Sequence, residues 1–184
     1  MQSNNLRRTR GGPMCQNQSG TSVRYSLCGL NSVNNALQHR DMLSVETMAP
    51  IVRRLNEKSG ESEGLEPHGN DKYGAYSTAA LHEALRAKGY QLRYLNNMAT
   101  FNCSKKKWFK KVARSKYKHL MIIGRAMGQK KGTWHCIARA LVRDKHYFID
   151  SDEFVYKAST EERLRHFFAE VDGVYAIEPS NQSK

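Results

Sequence analysis

Three residues in separate parts of the chain have the types and settings that thiol-dependent hydrolysis requires. Cys28 opens a segment with helical apolar periodicity, His135 lies far downstream in a strand pattern, and Asp150 directly follows the next strand pattern. A helix N-terminus and a neighbouring imidazolium both favour a thiolate, while a carboxylate fixes the imidazole tautomer and orientation. Together these residues predict the nucleophile, general base and orienting group of a cysteine hydrolase.

The sequence around Cys28 supports this choice among the thiols. An isolated cysteine is by default buried and inert, but here Leu30, Val33 and Leu37 form an apolar stripe that leaves the helix start near a cleft. Cys136, next to His135, is the nearest rival. On an alternating strand, we expect Cys136 to point away from the cleft.

The elements that must position these residues follow from periodicity and from breakers. Helical patterns cover residues 28–39, 44–58, 78–88 and 160–170, and strand patterns cover 90–95, 119–123, 134–142, 146–149 and 173–177. Pro50 must kink the second helix or start its main part, Gly89 stops the third and Thr160 caps the last. The predicted fold class is α+β, in which a helical subdomain carrying the thiol packs on an antiparallel sheet carrying His135 and Asp150.

Length and composition predict a single domain. The 184 residues and 39% apolar content suffice for one core, and we expect a flexible basic and polar arm over 1–22, a catalytic domain over 23–179 and a tail over 180–184. No apolar run reaches the roughly 18 residues of a membrane span, and the N-terminus lacks the apolar stretch of a secretory signal.

The four cysteines are scattered and show no C-x-x-C pairing. They are Cys15, Cys28, Cys103 and Cys136. We therefore expect reduced thiols in a cytoplasmic monomer, with a nuclear location as the alternative, and neither a disulfide framework nor a zinc site or other cofactor.

The segment from Leu27 to Gln38 resembles the catalytic helix of the Josephin family, papain-like cysteine proteases that remove ubiquitin. Its sequence LCGLNSVNNALQ is similar to the family's Leu-Cys-Ala start and its paired-Asn turn ending in Leu-Gln. Three further blocks follow in the family's order: residues 67–90, His135 with Asp150 at the family's spacing, and the terminal strand at 173–177. The resemblance covers about residues 24–179.

The resemblance implies a papain-like Josephin fold and hydrolysis of (iso)peptide bonds after the C-terminal glycine of ubiquitin, without metal or cofactor. Ubiquitin or polyubiquitin chains are then the partners. Because the ubiquitin tail is basic and ends in glycine, Glu61, Glu63, Glu66 and Trp134 are the candidate substrate-binding residues. A solvated, mobile loop is the alternative interpretation of the three glutamates.

Two positions depart from the family pattern. The family places a Gln that helps form the oxyanion hole five residues before the cysteine, whereas this chain has Val23 there. Gln18 and Ser22 are the candidates to replace it, and losing one such donor typically costs on the order of 10²–10³ in turnover. Asn31 stands where the family has a histidine that is not the general base, so we expect little effect.

The net charge of +13 is the feature that a protease explains least. Much of it lies in the segment Lys105–Lys118, where Trp108, Phe109 and Val112 have the spacing of an apolar helix face with lysines outside. A solvated helix face is the favoured interpretation. The alternative is an anionic partner: RNA, DNA or an acidic membrane surface.

Three other functions stay open. The missing Gln allows a catalytically weak, Josephin-like ubiquitin binder, and the basic segment allows a nucleic-acid-binding protein whose triad is incidental. A different thiol hydrolase or a transglutaminase on the same scaffold is the third, because Cys-His-Asp serves both chemistries. A ubiquitin suicide probe separates the first two from a deubiquitinase, because covalent capture at Cys28 requires a working thiolate.

Overall fold

The computed structural model describes residues 6–8, 13–16, 27–59, 67–70, 74–96, 105–126, 134–151 and 155–180. Within them the chain forms β1 (Leu6–Arg8), β2 (Met14–Gln16), α1 (Cys28–Leu37), α2 (Val45–Ser59), α3 (Thr78–Ala87), β3 (Tyr90–Tyr94), α4 (Lys105–Ala113), β4 (Leu120–Ala126), β5 (His135–Val142), β6 (Lys145–Asp150), β7 (Val155–Ala158), α5 (Glu161–Phe167) and β8 (Phe168–Pro179). The predicted α+β class is confirmed.

Six strands form one antiparallel sheet in the order β3-β8-β4-β5-β6-β7. One face of the sheet packs under α1, α2 and α3, and the other packs under α4 and α5. Alternation along β5 divides its side chains, since Ala138 and Ala140 lie in the core with α1 whereas Ile137 lies in the core with α4. His135 is the first residue of β5 and Asp150 is the last of β6, so both lie at strand ends.

Polar side chains in the last turn of α1 fix the position of the helix, which carries Cys28 at its other end. Asn34 accepts from the backbone N–H of Leu43 at 2.9 Å and donates to the Leu43 carbonyl at 2.8 Å. Gln38 takes the left-handed conformation that ends the helix, and its amide bonds both backbone groups of Met14, at 2.7 and 3.1 Å. The Asn and Gln positions of the helix motif therefore tie α1 to the loop after it and to β2.

Local capping explains where α2 and α3 begin. Ser44 and Thr47 bond each other's backbone N–H groups reciprocally, at 3.2 and 2.9 Å, before α2. Pro50 lies in the second turn of α2, and the helix continues through it. Ser77 accepts from the Ala80 N–H at 3.1 Å to cap α3.

The last helix is shorter than predicted and the last strand is longer. The helical pattern over 160–170 predicts helix at Phe168, where the structure begins β8 instead. β8 lies in the sheet between β3 and β4, and Ala126 pairs with Phe168 at its start. Backbone pairing with β4 makes residues 168–170 a strand in place of the end of the helix. Local periodicity cannot predict such pairing, because β4 is distant in sequence. Gly124 is required at this crossing, because a Cβ there would lie 2.4 Å from the Glu170 carbonyl oxygen.

The arm predicted over residues 1–22 contains two short strands in the part that the structure describes. β1 pairs antiparallel with β2 there, and Met14 is only 4% exposed. The side-chain amide of Gln38 hydrogen-bonds both backbone groups of Met14 and so holds β2 against α1. A sequence pattern within the arm cannot reveal this partner, because Gln38 lies outside the arm. A further strand that was not predicted, β7, extends the sheet beyond β6.

Candidate active site

Cys28 is the first residue of α1, where the positive end of the helix dipole lies. The preceding residue, Leu27, makes no capping hydrogen bond with its side chain, and the helix ladder starts with Asn31 N–H donating to the Leu27 carbonyl at 2.9 Å. The first backbone N–H groups of a helix have no partner within the helix itself. The sequence therefore places the sulfur beside donors that favour negative charge.

His135 and Asp150 are brought together at neighbouring strand ends. Nε2 of the imidazole lies 2.8 Å from Oδ1 of Asp150, and the two residues are 8% and 4% exposed. The ring of Phe168 packs beside the imidazole, with centroids 6.3 Å apart. Because Asp150 engages Nε2, Nδ1 is the ring nitrogen left to face a reacting group.

The thiol of Cys28 is hydrogen-bonded to the side chains of Cys136 and His135. The bond with the Cys136 side chain is the strongest influence on the pKa of Cys28 and lowers it, while burial opposes it. Hydrogen bonding to His135, the charge on the imidazole and the backbone N–H of Cys136 lower the pKa further. The net result is a pKa well below that of an ordinary thiol.

The pKa of His135 moves in the opposite direction. Burial is the strongest single influence and lowers it, but the hydrogen bonds to Asp150 and Cys28, together with the charges of both groups, raise the pKa to about 10. A lowered thiol pKa and a raised imidazole pKa favour a thiolate–imidazolium pair at neutral pH. Such a pair combines a nucleophile with a proton donor.

The prediction that Cys136 points away from the cleft is wrong. Cys136 pairs with Ile123 on β4 and alternates in phase with Ala138 and Ala140, which lie in the core under α1. Its side chain therefore faces α1, where it meets Cys28. The sequence signal for this orientation is the pair Ala138 and Ala140, which alternate in phase with Cys136. Small side chains on one face of a strand allow a helix to pack closely on that face.

Of the remaining predicted site residues, only Trp134 lies in the described part of the chain. Trp134 is 52% exposed and directly precedes His135. The positions outside the described residues are Gln18, Ser22, Glu61, Glu63 and Glu66. Asn31, which departs from the family pattern, is 2% exposed, and within the described part of the chain its Nδ2 has no hydrogen-bond partner.

Arg139 is a buried cation that the sequence did not single out. It is 1% exposed, and its guanidinium donates to the Tyr117 carbonyl at 2.7 Å, the Ser115 carbonyl at 2.9 Å and the Ser159 hydroxyl at 2.8 Å. Burial lowers its pKa to about 10. Arg139 thus fastens the segment after α4 to β5, since backbone carbonyls satisfy its donors.

A cleft of about 680 Å³ lies beside that segment and is lined almost entirely by cations. Its lining residues are Lys107, Lys110, Lys111, Arg114, Ser115 and Lys116. Trp108, Phe109 and Val112 pack into the core, as their spacing predicted. Within the described residues, none of the five cations is paired with a carboxylate. The lysines therefore concentrate positive charge on one surface.

Metal sites, membrane spans and likeness to known proteins give no further guide to function among the described residues. In the described ranges, no group of three or more His, Cys, Asp or Glu side chains is placed to hold a metal ion. No described helix combines the length and the apolar character needed to cross a membrane. Comparison with models of protein families gave no match, and neither did comparison with curated proteins. The geometry around Cys28, His135 and Asp150 is thus the main guide to function.

Proposed function

We propose that this protein is a cysteine-type deubiquitinase of the papain-like Josephin fold, which hydrolyses (iso)peptide bonds after the C-terminal glycine of ubiquitin. The observation that carries the proposal is the hydrogen-bonded series from Cys28 to His135 to Asp150. The motif resemblance around Cys28 supplies the substrate class. The local geometry supports thiol chemistry, and the resemblance supports ubiquitin.

Each group has one role in the proposed reaction. The Cys28 thiolate attacks the carbonyl carbon of the terminal glycine, and the negative charge moves to the carbonyl oxygen. The His135 imidazolium gives its proton to the departing amine as the C–N bond breaks, which leaves a thioester on Cys28. His135 then takes a proton from the water that hydrolyses the thioester. Asp150 holds the imidazole throughout.

The oxyanion needs donors that are in place before the charge develops. The backbone N–H of Cys28, at the start of α1, is the first proposed donor. Gln18 and Ser22 remain the proposed side chains for the second. Single substitutions of these two residues are preferable to removing the arm, because removal would also strip Met14 from its contact with Gln38.

A ubiquitin bearing a C-terminal electrophile tests the proposal. We expect one covalent adduct, which peptide mass analysis places on Cys28, and hydrolysis of a fluorogenic ubiquitin C-terminal amide by the same preparation. Cys28→Ala should lose both signals, while the control Cys103→Ser should keep both. Adduct formation on Cys136, or turnover by Cys28→Ala, would refute the assignment. Ubiquitin binding by wild-type protein that shows neither adduct nor turnover would identify a binder instead.

The basic cleft favours nucleic-acid binding as a second candidate function. Five cations converge there without described carboxylate partners, which suits the repeated phosphates of a nucleic-acid backbone. Because Trp108 and Phe109 are buried, the helix offers no exposed aromatic platform for stacking bases, and contacts to phosphates would dominate. Titration of a fluorescent RNA at several salt concentrations tests this function. The absence of salt-sensitive binding would exclude it.

A further inference from the structure

Cys136 forms no covalent bond in the proposed hydrolysis, but its side chain lies against the nucleophile and helps to lower the pKa of Cys28. Neither Cys28 nor Cys136 is in a disulfide, and both are partly exposed. Cys28 is the first residue of α1 and Cys136 the second of β5. Because α1 packs on β5 and Cys136 is in phase with Ala138 and Ala140 on the face under α1, the fold brings the two cysteine side chains together, in agreement with the effect of Cys136 on the pKa of Cys28. Facing thiols at a site that favours thiolate have a chemistry of their own.

We propose that Cys28 and Cys136 form a reversible redox pair, in which hydrogen peroxide oxidises Cys28 and Cys136 resolves the product to a disulfide. Neither hydrolysis nor ubiquitin binding requires such a pair. The inference goes beyond the proposed function, and it depends only on the reactivity of Cys28 and on the position of Cys136.

The chemistry balances in two steps. The Cys28 thiolate attacks one oxygen of peroxide, so that an S–O bond forms, the O–O bond breaks and hydroxide leaves as water after taking up a proton. Cys136, as thiolate, then attacks the sulfenic sulfur. The S–S bond forms, the S–O bond breaks and the second hydroxide also leaves as water. Two thiols lose two electrons in total, and one peroxide becomes two waters.

The surroundings favour both steps. His135, hydrogen-bonded to Cys28, stabilises the thiolate that reacts with peroxide. Partial exposure of both cysteines admits a molecule as small as peroxide or water. Each cysteine lies at the end of its element, where a small displacement needed to reach disulfide geometry disturbs few backbone hydrogen bonds.

The disulfide would inactivate the nucleophile reversibly. Bonded to Cys136, Cys28 has no thiolate with which to attack a carbonyl, so hydrolysis stops until a dithiol reductant restores both thiols. The same bond blocks further oxidation of Cys28 to sulfinic acid, which reductants do not reverse. Cys136 thus makes the loss of the nucleophile reversible.

Non-reducing peptide mapping of the full chain after peroxide treatment and thiol blocking tests the pair. In wild-type protein we expect a cross-linked Cys28–Cys136 peptide, the loss of two alkylatable thiols and full recovery of both with dithiothreitol. Cys136→Ser keeps a hydrogen-bond donor of similar size, yet its Cys28 should advance to sulfinic acid that dithiothreitol does not reverse. Cys103→Ser is the matched control and should still form the cross-link.

The outcomes are decisive without any assay of ubiquitin cleavage. If Cys28 in wild-type protein reaches sulfinic acid as fast as in Cys136→Ser and without a cross-linked peptide, the proposal fails. A cross-link from Cys28 to Cys15 or Cys103 in place of Cys136 also overturns it. Because peptide mass is the readout, a protein that forms the disulfide but does not cleave ubiquitin would refute the proposed function alone.

Discussion

The candidate active site and the basic cleft both concentrate ionisable side chains, but they arrange them in opposite ways. At the active site, Cys28, His135 and Asp150 are partners of one another, and two of them are almost completely buried. In the cleft beside α4, five cations face outward without described carboxylate partners. Mutual pairing in a buried place shifts pKa values and so creates reactivity, whereas unpaired exposed charge creates a field that attracts anions.

Arg139 shares one property with each of these two regions. It is buried, like the active-site residues, but its hydrogen bonds go to backbone carbonyls and a hydroxyl. It lies on the same strand as His135 and holds the segment that lines the cleft. The difference between the two regions can therefore be tested by changing a residue of each region and the residue that links them.

The largest expected effect is that of His135→Ala on turnover. Without the imidazole, neither the departing amine nor the attacking water has its proton donor or acceptor, so kcat for a fluorogenic ubiquitin substrate should fall on the order of 10²–10⁴-fold. His39→Ala, at an exposed position after α1, is the control and should leave kcat unchanged. If His135→Ala keeps most of its activity, the proposed thiolate–imidazolium pair of Cys28 and His135 is wrong.

Arg139→Met should lower the free energy of unfolding by roughly 3 kcal/mol, because several buried carbonyls lose their donor. Urea denaturation followed by circular dichroism measures the change. The control is Arg86→Met on the exposed side of α3, which should stay within about 0.5 kcal/mol of wild type. Equal stability of the two variants would mean that these hydrogen bonds contribute nothing net.

Asp150→Ala should reduce kcat more than Asp150→Asn. An amide oxygen can still accept from the ring N–H and hold the imidazole, whereas alanine leaves the ring without its 2.8 Å partner. We expect a loss of about tenfold for the amide and on the order of 100-fold for alanine, measured with the same substrate. Wild-type activity in Asp150→Ala would move the role to Asp152, which lies outside the described residues, or dismiss it.

The pH dependence of Cys28 alkylation separates a paired thiol from an ordinary one. Because its pKa is lowered, Cys28 should already react with iodoacetamide at its maximal rate below the ordinary thiol pKa of about 8.5. His135→Ala should shift the profile to higher pH. Turnover, but not alkylation, should fall as the pH rises through about 10, where His135 loses its proton. Coincident alkylation profiles for the two proteins would contradict the pairing.

The smallest effect on turnover is expected from changing Lys107, Lys110 and Lys111 together to Gln. These residues line the cleft but do not contact the thiol, so ubiquitin cleavage should stay within about twofold of wild type. RNA binding should weaken, and its salt dependence should fall by about three in slope, one for each lysine. Unchanged RNA binding would contradict a role for these lysines in binding RNA and would support a solvated helix face.

The sequence predicted those elements whose signals are local. The start of α1 at Cys28, the caps at Ser77 and Thr160, and the apolar face of α4 follow from residue types within one or two turns. Pairing between distant strands carries no such signal. That is why β7, the early start of β8 and the ladder of β1 with β2 were missed or assigned differently.

The candidate site divides in the same way. The sequence by itself determined that Cys28 opens a helix and that His135 and Asp150 lie at strand ends, because periodicity and helix starts are properties of neighbouring residues. Only the tertiary structure decided that Cys136 faces Cys28 and that Arg139 is buried. Which face of a strand lies under a helix depends on how β4, β5 and β6 pair, and that pairing is fixed by contacts far apart in the chain.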